Sequence, residues 1–294
     1  MKARTLAFGA LLFLQGALIV TGGAVRLTGS GLGCPTWPEC TPGSYTPVAN
    51  QAEGTLHSWI EFGNRLLTFA LVLASLVVLI TVLRARRKDL YLLAILQLLG
   101  ILGQGVLGGI TVLTDLNPIP VAGHLLLSIL LVAGAVSLFD RRHFPSIKKV
   151  LQKGWLPTLS SIHVVVAFLV IVVGTVVTGS GPHAGDIKAR RFGFEIRTVA
   201  WLHADLVIAL LGLTLALYVL TQITPQTRRA IRVFTIIALA QGAIGYIQYF
   251  TGIPEVLVAA HLAGATLVWI ATWRIRLSIT TVSTRTASTT TEKV

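Results

Sequence analysis

The sequence predicts an all-α integral membrane protein whose eight transmembrane helices form two tandem, similarly oriented four-helix bundles. Its 294 residues are 54% hydrophobic and only 12% charged, with a mean hydropathy of +0.79. Such values are typical of multi-pass membrane proteins and exclude an ordinary soluble domain. Eight apolar stretches are each long enough to cross a bilayer, which takes about 20 residues. Short motifs from the first half of the chain also recur in the second half.

The apolar stretches define the predicted helices. They lie near residues 6–25, 59–82, 90–113, 119–139, 158–178, 199–221, 230–250 and 255–275. The first stretch is similar to a secretory signal, but no small-residue cleavage site follows it, so we interpret it as a retained helix. Because the number of helices is even, both ends of the chain are predicted to lie on the same side of the membrane.

The positive charges predict the orientation. The formal net charge is +13, yet 18 of the 24 Lys and Arg residues lie in segments that face the cytoplasm if the N-terminus is inside. This bias follows the positive-inside rule, with an exception in the basic loop at 188–197. We therefore predict a multi-pass protein of the cell membrane with both termini cytoplasmic. The positive charge is explained by this orientation in the lipid bilayer, which is the expected partner. It does not indicate that the protein binds nucleic acid.

Internal repeats define the predicted domains. The TGSG sequence at 28–31 returns at 178–181. A second, ungapped match keeps a constant offset of 137 residues and pairs Gln104 with Gln241, Gly108 with Gly245, and His124 with His261. A duplication of four helices keeps both copies in the same orientation. The predicted parts are an N-terminal half (1–140), a cytoplasmic linker (141–153), a C-terminal half (154–279) and a Ser/Thr-rich, disordered cytoplasmic tail (280–294).

Four histidines lie near the starts of the even-numbered helices: His57, His124, His203 and His261. All four are expected at similar depth near the outer surface, where histidines on different helices can bind a haem iron from both faces. One such pair is His203 with His261, and the other is His124 with a partner on helix 2. The alternative is that each histidine makes an ordinary interfacial hydrogen bond. A tetrahedral zinc or copper site fits less well, because cysteines are too few and too distant.

The two cysteines, Cys34 and Cys40, lie in a Gly/Pro-rich outer loop. The external face of a membrane permits disulfides, and the two prolines between these residues bend the loop enough to bring the sulfurs together. Two free thiols, a structural disulfide and a redox-active pair all remain open. No C-x-x-C-H motif is present, which excludes covalent c-type haem attachment.

A carboxylate stands at the mouth of helix 2, in the segment HSWIEFGNR at 57–65. An acidic residue at such a depth is costly and is rarely placed there without a partner or a function. One interpretation is an intrahelical ion pair between Glu61 and Arg65, which are spaced i, i+4. The other is that Glu61 acts as a general base. Arg26 and Arg65 are also candidates to contact haem propionates, because Arg binds carboxylates in bidentate fashion.

The segment GGAVRLTGSGLGCPTWPEC at 22–40, the Glu that follows it and the spaced histidines together resemble the heme A synthase family. These membrane enzymes oxidise the C8 methyl group of haem O to the formyl group of haem A for cytochrome oxidase. The resemblance implies a haem b cofactor bound by His203 and His261, haem O as substrate near His124, and catalysis by Glu61. It also implies an unidentified electron acceptor and makes the haem O synthase a candidate partner.

Helix 2 departs from the family pattern. The family has Glu-x-x-His-Arg, whereas this chain has Glu61-Phe-Gly-Asn64-Arg65. Either His124 alone binds the iron in the N-terminal half, or His57 substitutes from about 10 Å farther along the helix axis. Two other functions stay open as alternatives: a non-catalytic dihaem b-type cytochrome that carries electrons, and a haem transporter.

Overall fold

The computed structural model describes residues 2–143, 149–151, 154–187, 189–219 and 223–282. Within these ranges the chain forms eight α-helices: α1 (Lys2–Leu27), α2 (Thr55–Arg84), α3 (Lys88–Leu113), α4 (Pro118–Asp140), α5 (Leu156–Ser180), α6 (Ile196–Val219), α7 (Pro225–Phe250) and α8 (Glu255–Ser278). Each is long and apolar enough to cross a membrane. The predicted all-α, multi-pass membrane architecture is therefore confirmed.

The helix starts follow from local chemistry. Proline occupies the first turn of α4, α5 and α7, where its missing N–H removes no intrahelical hydrogen bond. The Asn117 side chain accepts a hydrogen bond from the N–H of Ile119 at 3.0 Å, which caps α4. In α7 the Thr224 hydroxyl accepts from the N–H of Thr227 at 3.2 Å. These caps fix where two of the membrane helices begin.

The helices pack mainly within two sequential groups. In the first, α1 packs on α2 and α4, and α3 packs on α2 and α4. In the second, α5 packs on α6 and α8, and α7 packs on α8, whereas α6 and α7 touch more loosely. Helix α8 also packs on α1 and α4, and α4 packs on α5. That the two groups are tandem bundles of the same orientation stays a prediction.

The two groups share one hydrophobic core along α4 and α8. Buried apolar residues from α1, α4, α5, α6, α7 and α8 form a single cluster there. Two indoles cross this boundary: Trp269 donates to the carbonyl of Ile129 and Trp273 donates to the hydroxyl of Ser137, both at 2.7 Å. Because an indole N–H without a partner is costly in an apolar setting, these two hydrogen bonds hold the two groups of helices in register.

The connections 28–54, 114–117, 181–195 and 251–254 meet at one end of the molecule, here called the cysteine-loop end. The N–H of Gly31 donates to the carbonyl of Gly185 at 3.0 Å, and Leu116 packs with Ala184. His183 bonds through Nε2 to the carbonyl of Ile253 at 2.8 Å. The first residues of α2, α4, α6 and α8 therefore all lie at this end.

A short antiparallel strand pair, β1 (Lys149–Leu151) and β2 (Thr280–Val282), joins the predicted linker to the predicted tail. The first three residues of the segment expected to be disordered thus form a strand, which corrects the predicted boundary at 280. Composition alone could not reveal this pairing, because backbone hydrogen bonds to a distant segment leave no signal in a Ser/Thr-rich stretch. Residues 283–294 of that predicted tail lie outside the described residues.

Candidate functional site

Two histidines face each other in the C-terminal half. His203 lies seven residues into α6 and His261 lies six residues into α8, so both are about 10 Å along their helices from the cysteine-loop end. Their ring centroids are 6.4 Å apart and their planes are inclined by 61°. A metal ion bound between the two rings would lie about 2 Å from one nitrogen of each ring. These two bonds, together with the distance from each nitrogen to its ring centroid, add up to a separation of this size.

Glycines on neighbouring helices fix the orientation of these rings. A methyl group on Gly174 of α5 would lie 3.2 Å from Cε1 of His203, and one on Gly245 of α7 would lie 3.1 Å from Cε1 of His261. Both distances are shorter than ordinary van der Waals contact. In each case the Cε1–Nδ1 edge of the ring faces the glycine, so the two rings are held from behind by helix backbone.

The imidazoles of His124, His203 and His261 make no hydrogen bond of good geometry with any residue that the structure describes, although the carbonyl of Val170 lies beside His203. Nδ1 of the buried His163 is also unpaired, but its Nε2 bonds to the hydroxyl of Thr214 at 3.0 Å. An unsatisfied nitrogen in an apolar setting costs free energy. Facing imidazoles with free nitrogens are the donor set that a six-coordinate haem requires, so these residues fit that group.

The described residues contain no group of three His, Cys, Asp or Glu side chains that could surround a metal ion. A bare metal ion would need three or four protein ligands, whereas a porphyrin supplies four nitrogens of its own and needs only axial ligands. Two facing histidines therefore suit a haem better than zinc.

Glutamines hold the backbone at the histidines of α4 and α8. Nε2 of Gln241 donates to the carbonyl of His261 at 2.7 Å. Nε2 of Gln104 donates to the carbonyl of His124 at 2.9 Å and to the hydroxyl of Ser128 at 2.6 Å. The sequence repeat showed these glutamines in register but assigned them no function. Their shared contact identifies them as residues that position the two histidine-bearing helices.

In the N-terminal half, an imidazole and an amide occupy the corresponding places. A methyl group on Gly108 of α3 would lie 3.3 Å from Cε1 of His124. On α2, Nδ2 of Asn64 lies 3.9 Å from the methyl position of Gly22. The hydroxyl of Thr21 donates to Oδ1 of Asn64 at 2.8 Å. Sequence reasoning missed Thr21, which lies among apolar residues without any motif of its own.

His57 does not lie with the other three histidines. It is only two residues into α2, whereas His124, His203 and His261 lie six or seven residues into their helices. Its Nδ1 bonds to the hydroxyl of Ser30 at 2.9 Å. His57 therefore lies beside the cysteine loop, because α2 begins at Thr55, before its apolar stretch, and extends toward that loop. That the four histidines lie at similar depth stays a prediction.

Glu61 is buried and binds both Arg65 and the cysteine loop. Its Oε1 lies 2.6 Å from Nη2 of Arg65, and its Oε2 accepts the N–H of Cys34 at 2.8 Å. Arg65 in turn donates to the carbonyls of Cys34, Thr36 and Glu39 at 2.9, 3.1 and 3.2 Å. The ion pair considered from the sequence is present, and together the two side chains anchor the loop on α2.

The loop itself is closed by a disulfide between Cys34 and Cys40, both fully buried. The free-thiol alternative is thereby excluded for this structure. Trp37, between the two cysteines, packs against Gly109 of α3, where a side chain would collide with the indole. The loop thus contacts two helices of the N-terminal half.

Arg26 lies at the boundary between the two halves. Its Nη2 donates to the carbonyl of Thr178 at 2.7 Å, and its Nε donates to the carbonyl of His183. Both arginines that were candidates for propionate contacts, Arg26 and Arg65, thus donate to backbone carbonyls in this structure. Backbone acceptors have no signature in a sequence, which is why these contacts were not expected.

Comparison with known proteins gives a family and two relatives. The model of the COX15-CtaA family, described as cytochrome oxidase assembly protein, matches residues 4–273. A heme A synthase of Geobacillus thermodenitrificans is 32% identical over 102 residues, which is 34% of this chain and 30% of that protein. A heme A synthase of Geobacillus kaustophilus (strain HTA426) is 30% identical over 102 residues with the same coverage. The alignments therefore span less than a third of the relatives' length.

Proposed function

This chain belongs to the COX15-CtaA family of cytochrome oxidase assembly proteins, and from that premise we propose that it oxidises the C8 methyl group of haem O to a formyl group, giving haem A. The names of its relatives support this activity. The observation that carries it is the buried carboxylate of Glu61, three residues from Asn64 on α2. Three residues correspond to about 4.5 Å along the helix axis, so the carboxylate lies one turn above the level of Asn64.

Each half has its own task in this proposal. His203 and His261 bind haem b, which supplies one-electron transfer when it is bound. His124 binds the substrate haem O in the N-terminal half. Gln241 and Gln104 fix the backbone at the histidines of α8 and α4. The protein thereby orients a substrate on one side of the α4–α8 boundary and a cofactor on the other.

The reaction requires proton removal beside the methyl group. Each hydroxylation takes two electrons and two protons from the methyl carbon and a water molecule, and the second one gives a gem-diol that loses water to leave the aldehyde. The electrons pass to an acceptor that is still unidentified. Arg65 and the N–H of Cys34 stabilise the carboxylate of Glu61. A carboxylate accepts about four hydrogen bonds, and three of them come from Nε and Nη2 of Arg65 on Oε1 and from the N–H of Cys34 on Oε2. The remaining position, on Oε2, is where Glu61 would act as the general base.

The test is the pigment in cells that make haem O. We expect Glu61→Gln to lose nearly all haem A formation while its bound haem b is retained, because the amide keeps the shape but cannot take up a proton. Glu53→Gln, a change of the same chemistry in the loop before α2, is the matched control and should form haem A normally. Haem extracted and separated by chromatography gives both measurements. Normal haem A in Glu61→Gln would remove this residue from the reaction.

A second function has one observation in its favour. Both carboxylate oxygens of Glu61 already have partners in Arg65 and Cys34, which is what a purely structural ion pair would show. In a non-catalytic dihaem cytochrome, Glu61 would have only this structural role. Expression of the unchanged protein in the same cells distinguishes the two functions, since a cytochrome would yield no haem A and no hydroxylated haem O.

A further inference from the structure

We propose that Asn64 leaves one axial face of the haem in the N-terminal half without a protein ligand and presents an amide N–H donor to a small exchangeable ligand on that face. The inference rests on the proposed function, because it requires a haem bound by His124. It goes further in assigning Asn64 a role and in predicting a binding activity that the C-terminal haem lacks.

When the buried residues of α2 are aligned with those of α6, Asn64 aligns with His203, a proposed ligand of the haem iron. The buried residues of α6 are Leu210, Thr214 and Leu217. At an offset of 139 they coincide with residues of α2 that are also buried: Leu71, Ser75 and Val78. The same offset places Asn64 on His203. Because a shared buried face means a shared rotation of the helix, the side chains at these two positions point in the same direction within their halves.

The same coincidence holds for the second ligand position. At the offset of 137 that pairs His124 with His261, four buried residues of α4 coincide with four of α8: Ile129 with Thr266, Val132 with Trp269, Ala135 with Thr272, and Leu138 with Ile275. Asn64 and His124 are thus the counterparts of His203 and His261, whose rings are 6.4 Å apart.

The amide at Asn64 is oriented as a donor. The hydroxyl of Thr21 donates to its Oδ1 at 2.8 Å, which leaves the two N–H bonds of Nδ2 free. Within the described residues Nδ2 makes no hydrogen bond. A carboxamide is not among the usual axial ligands of haem iron, which are His, Met, Cys and Tyr. A hydrogen-bond donor beside an open axial position instead decides which small ligands bind there.

Other side chains on α2 are committed elsewhere. His57 lies seven residues before Asn64, about 10 Å nearer the helix start, and its Nδ1 bonds to Ser30. Glu61 and Arg65 bind each other and the backbone of the cysteine loop. Helix α2 therefore offers no second side chain at the depth of His124 that would complete the coordination of the iron.

Carbon monoxide is the probe that tests this inference, because it binds reduced haem only where an axial position is open. The full-length protein is purified with both haems bound and titrated with carbon monoxide. We expect one haem of the two to bind it. Asn64→His should abolish the binding and convert a high-spin signal to low-spin in electron paramagnetic resonance. The matched variant His203→Asn should open the other haem, so that both bind carbon monoxide.

Two further variants test the details. His57→Gln should leave carbon monoxide binding unchanged, whereas binding that appears only in this variant would make His57 the ligand and overturn the inference. Asn64→Leu should still bind carbon monoxide, but with an altered C–O stretching frequency, because the donor is lost. An unaltered frequency would refute the donor role of the amide.

The outcomes also separate this inference from the proposed function. Two bound haems with no carbon monoxide binding in the unchanged protein would overturn the inference and leave the function standing. A protein that never takes up a second haem, even in cells that make haem O, would overturn both.

Discussion

The C-terminal half sets two imidazoles 6.4 Å apart, whereas the N-terminal half has the imidazole of His124 and the amide of Asn64 at the corresponding positions of the sequence. Around these groups the two halves are alike, with a glycine behind each side chain and a glutamine on the carbonyls of His124 and His261. One difference is therefore a side chain at the level of the rings, where Asn64 stands at the position that corresponds to His203. A closed coordination shell suits an electron carrier, and an open one suits a site where chemistry occurs.

Two further positions on α2 reinforce this contrast. At the offset of 139, Glu61 and Arg65 of α2 correspond to Ala200 and Ala204 of α6. The C-terminal half thus has neither the buried carboxylate nor the guanidinium that anchors the cysteine loop. The carboxylate–guanidinium pair of Glu61 and Arg65 therefore has no counterpart at the same positions of α6.

The largest expected effect comes from breaking the imidazole pair. His261→Ala should strongly lower the haem content of the C-terminal half, because it removes both an iron ligand and the bulk of the ring, whereas His203→Asn keeps a polar side chain in place of its own ring. His163→Gln, a change to a buried histidine that bonds to Thr214 instead, should keep the haem and is the control. Haem content per protein, measured as the pyridine haemochrome, decides the matter. Equal content in the two variants would show that His261 is not a ligand.

A smaller effect is expected from crowding a ring. Gly245→Ala should push His261 aside, since the added methyl would lie 3.1 Å from Cε1. Overpacking of this kind costs about 1–3 kcal/mol, or roughly 5- to 150-fold in haem affinity. Gly22→Ala is the matched change beside Asn64, where the distance is 3.9 Å, and should alter affinity little. The rate of haem transfer to apomyoglobin measures the haem affinity of both variants. An equal loss of affinity in the two would mean that contact between the methyl group and the His261 ring is not the cause.

The smallest effect should come from the glutamines. Gln241→Leu removes the hydrogen bond to the carbonyl of His261, and such bonds between membrane helices average about 0.6 kcal/mol. That corresponds to roughly threefold weaker haem retention. Gln104→Leu should cost more, because Gln104 also bonds to Ser128. The same haem-transfer assay compares them, and a larger loss in Gln241→Leu would contradict the contacts described here.

The helices could be predicted from the sequence because hydropathy depends on composition alone. The start of α2 was predicted four residues too late for the same reason: α2 begins at Thr55, and residues 55–58 precede the apolar stretch from which the helix was predicted. The register of Gln104 with Gln241 and of His124 with His261 was visible because duplication preserves spacing.

The geometry of the site was less predictable. Which glycine lies behind which ring depends on how the helices are rotated against one another, and Gly22 or Gly174 gives no sign of it in the sequence. The acceptors of Arg26 are backbone carbonyls at the end of α5 and in the loop that follows it, 152 residues away or more, and no motif encodes these contacts. The disulfide remained one of several possibilities until the fold brought Cys34 and Cys40 together.

The anchoring of the cysteine loop has a consequence for how the molecule responds to reductants. Arg65 and Glu61 hold the loop through the main chain of Cys34, Thr36 and Glu39, and none of these bonds involves a sulfur atom. Because these bonds do not depend on the disulfide, we expect the loop to stay on α2 when Cys34 and Cys40 are reduced, so that the carboxylate of Glu61 remains covered.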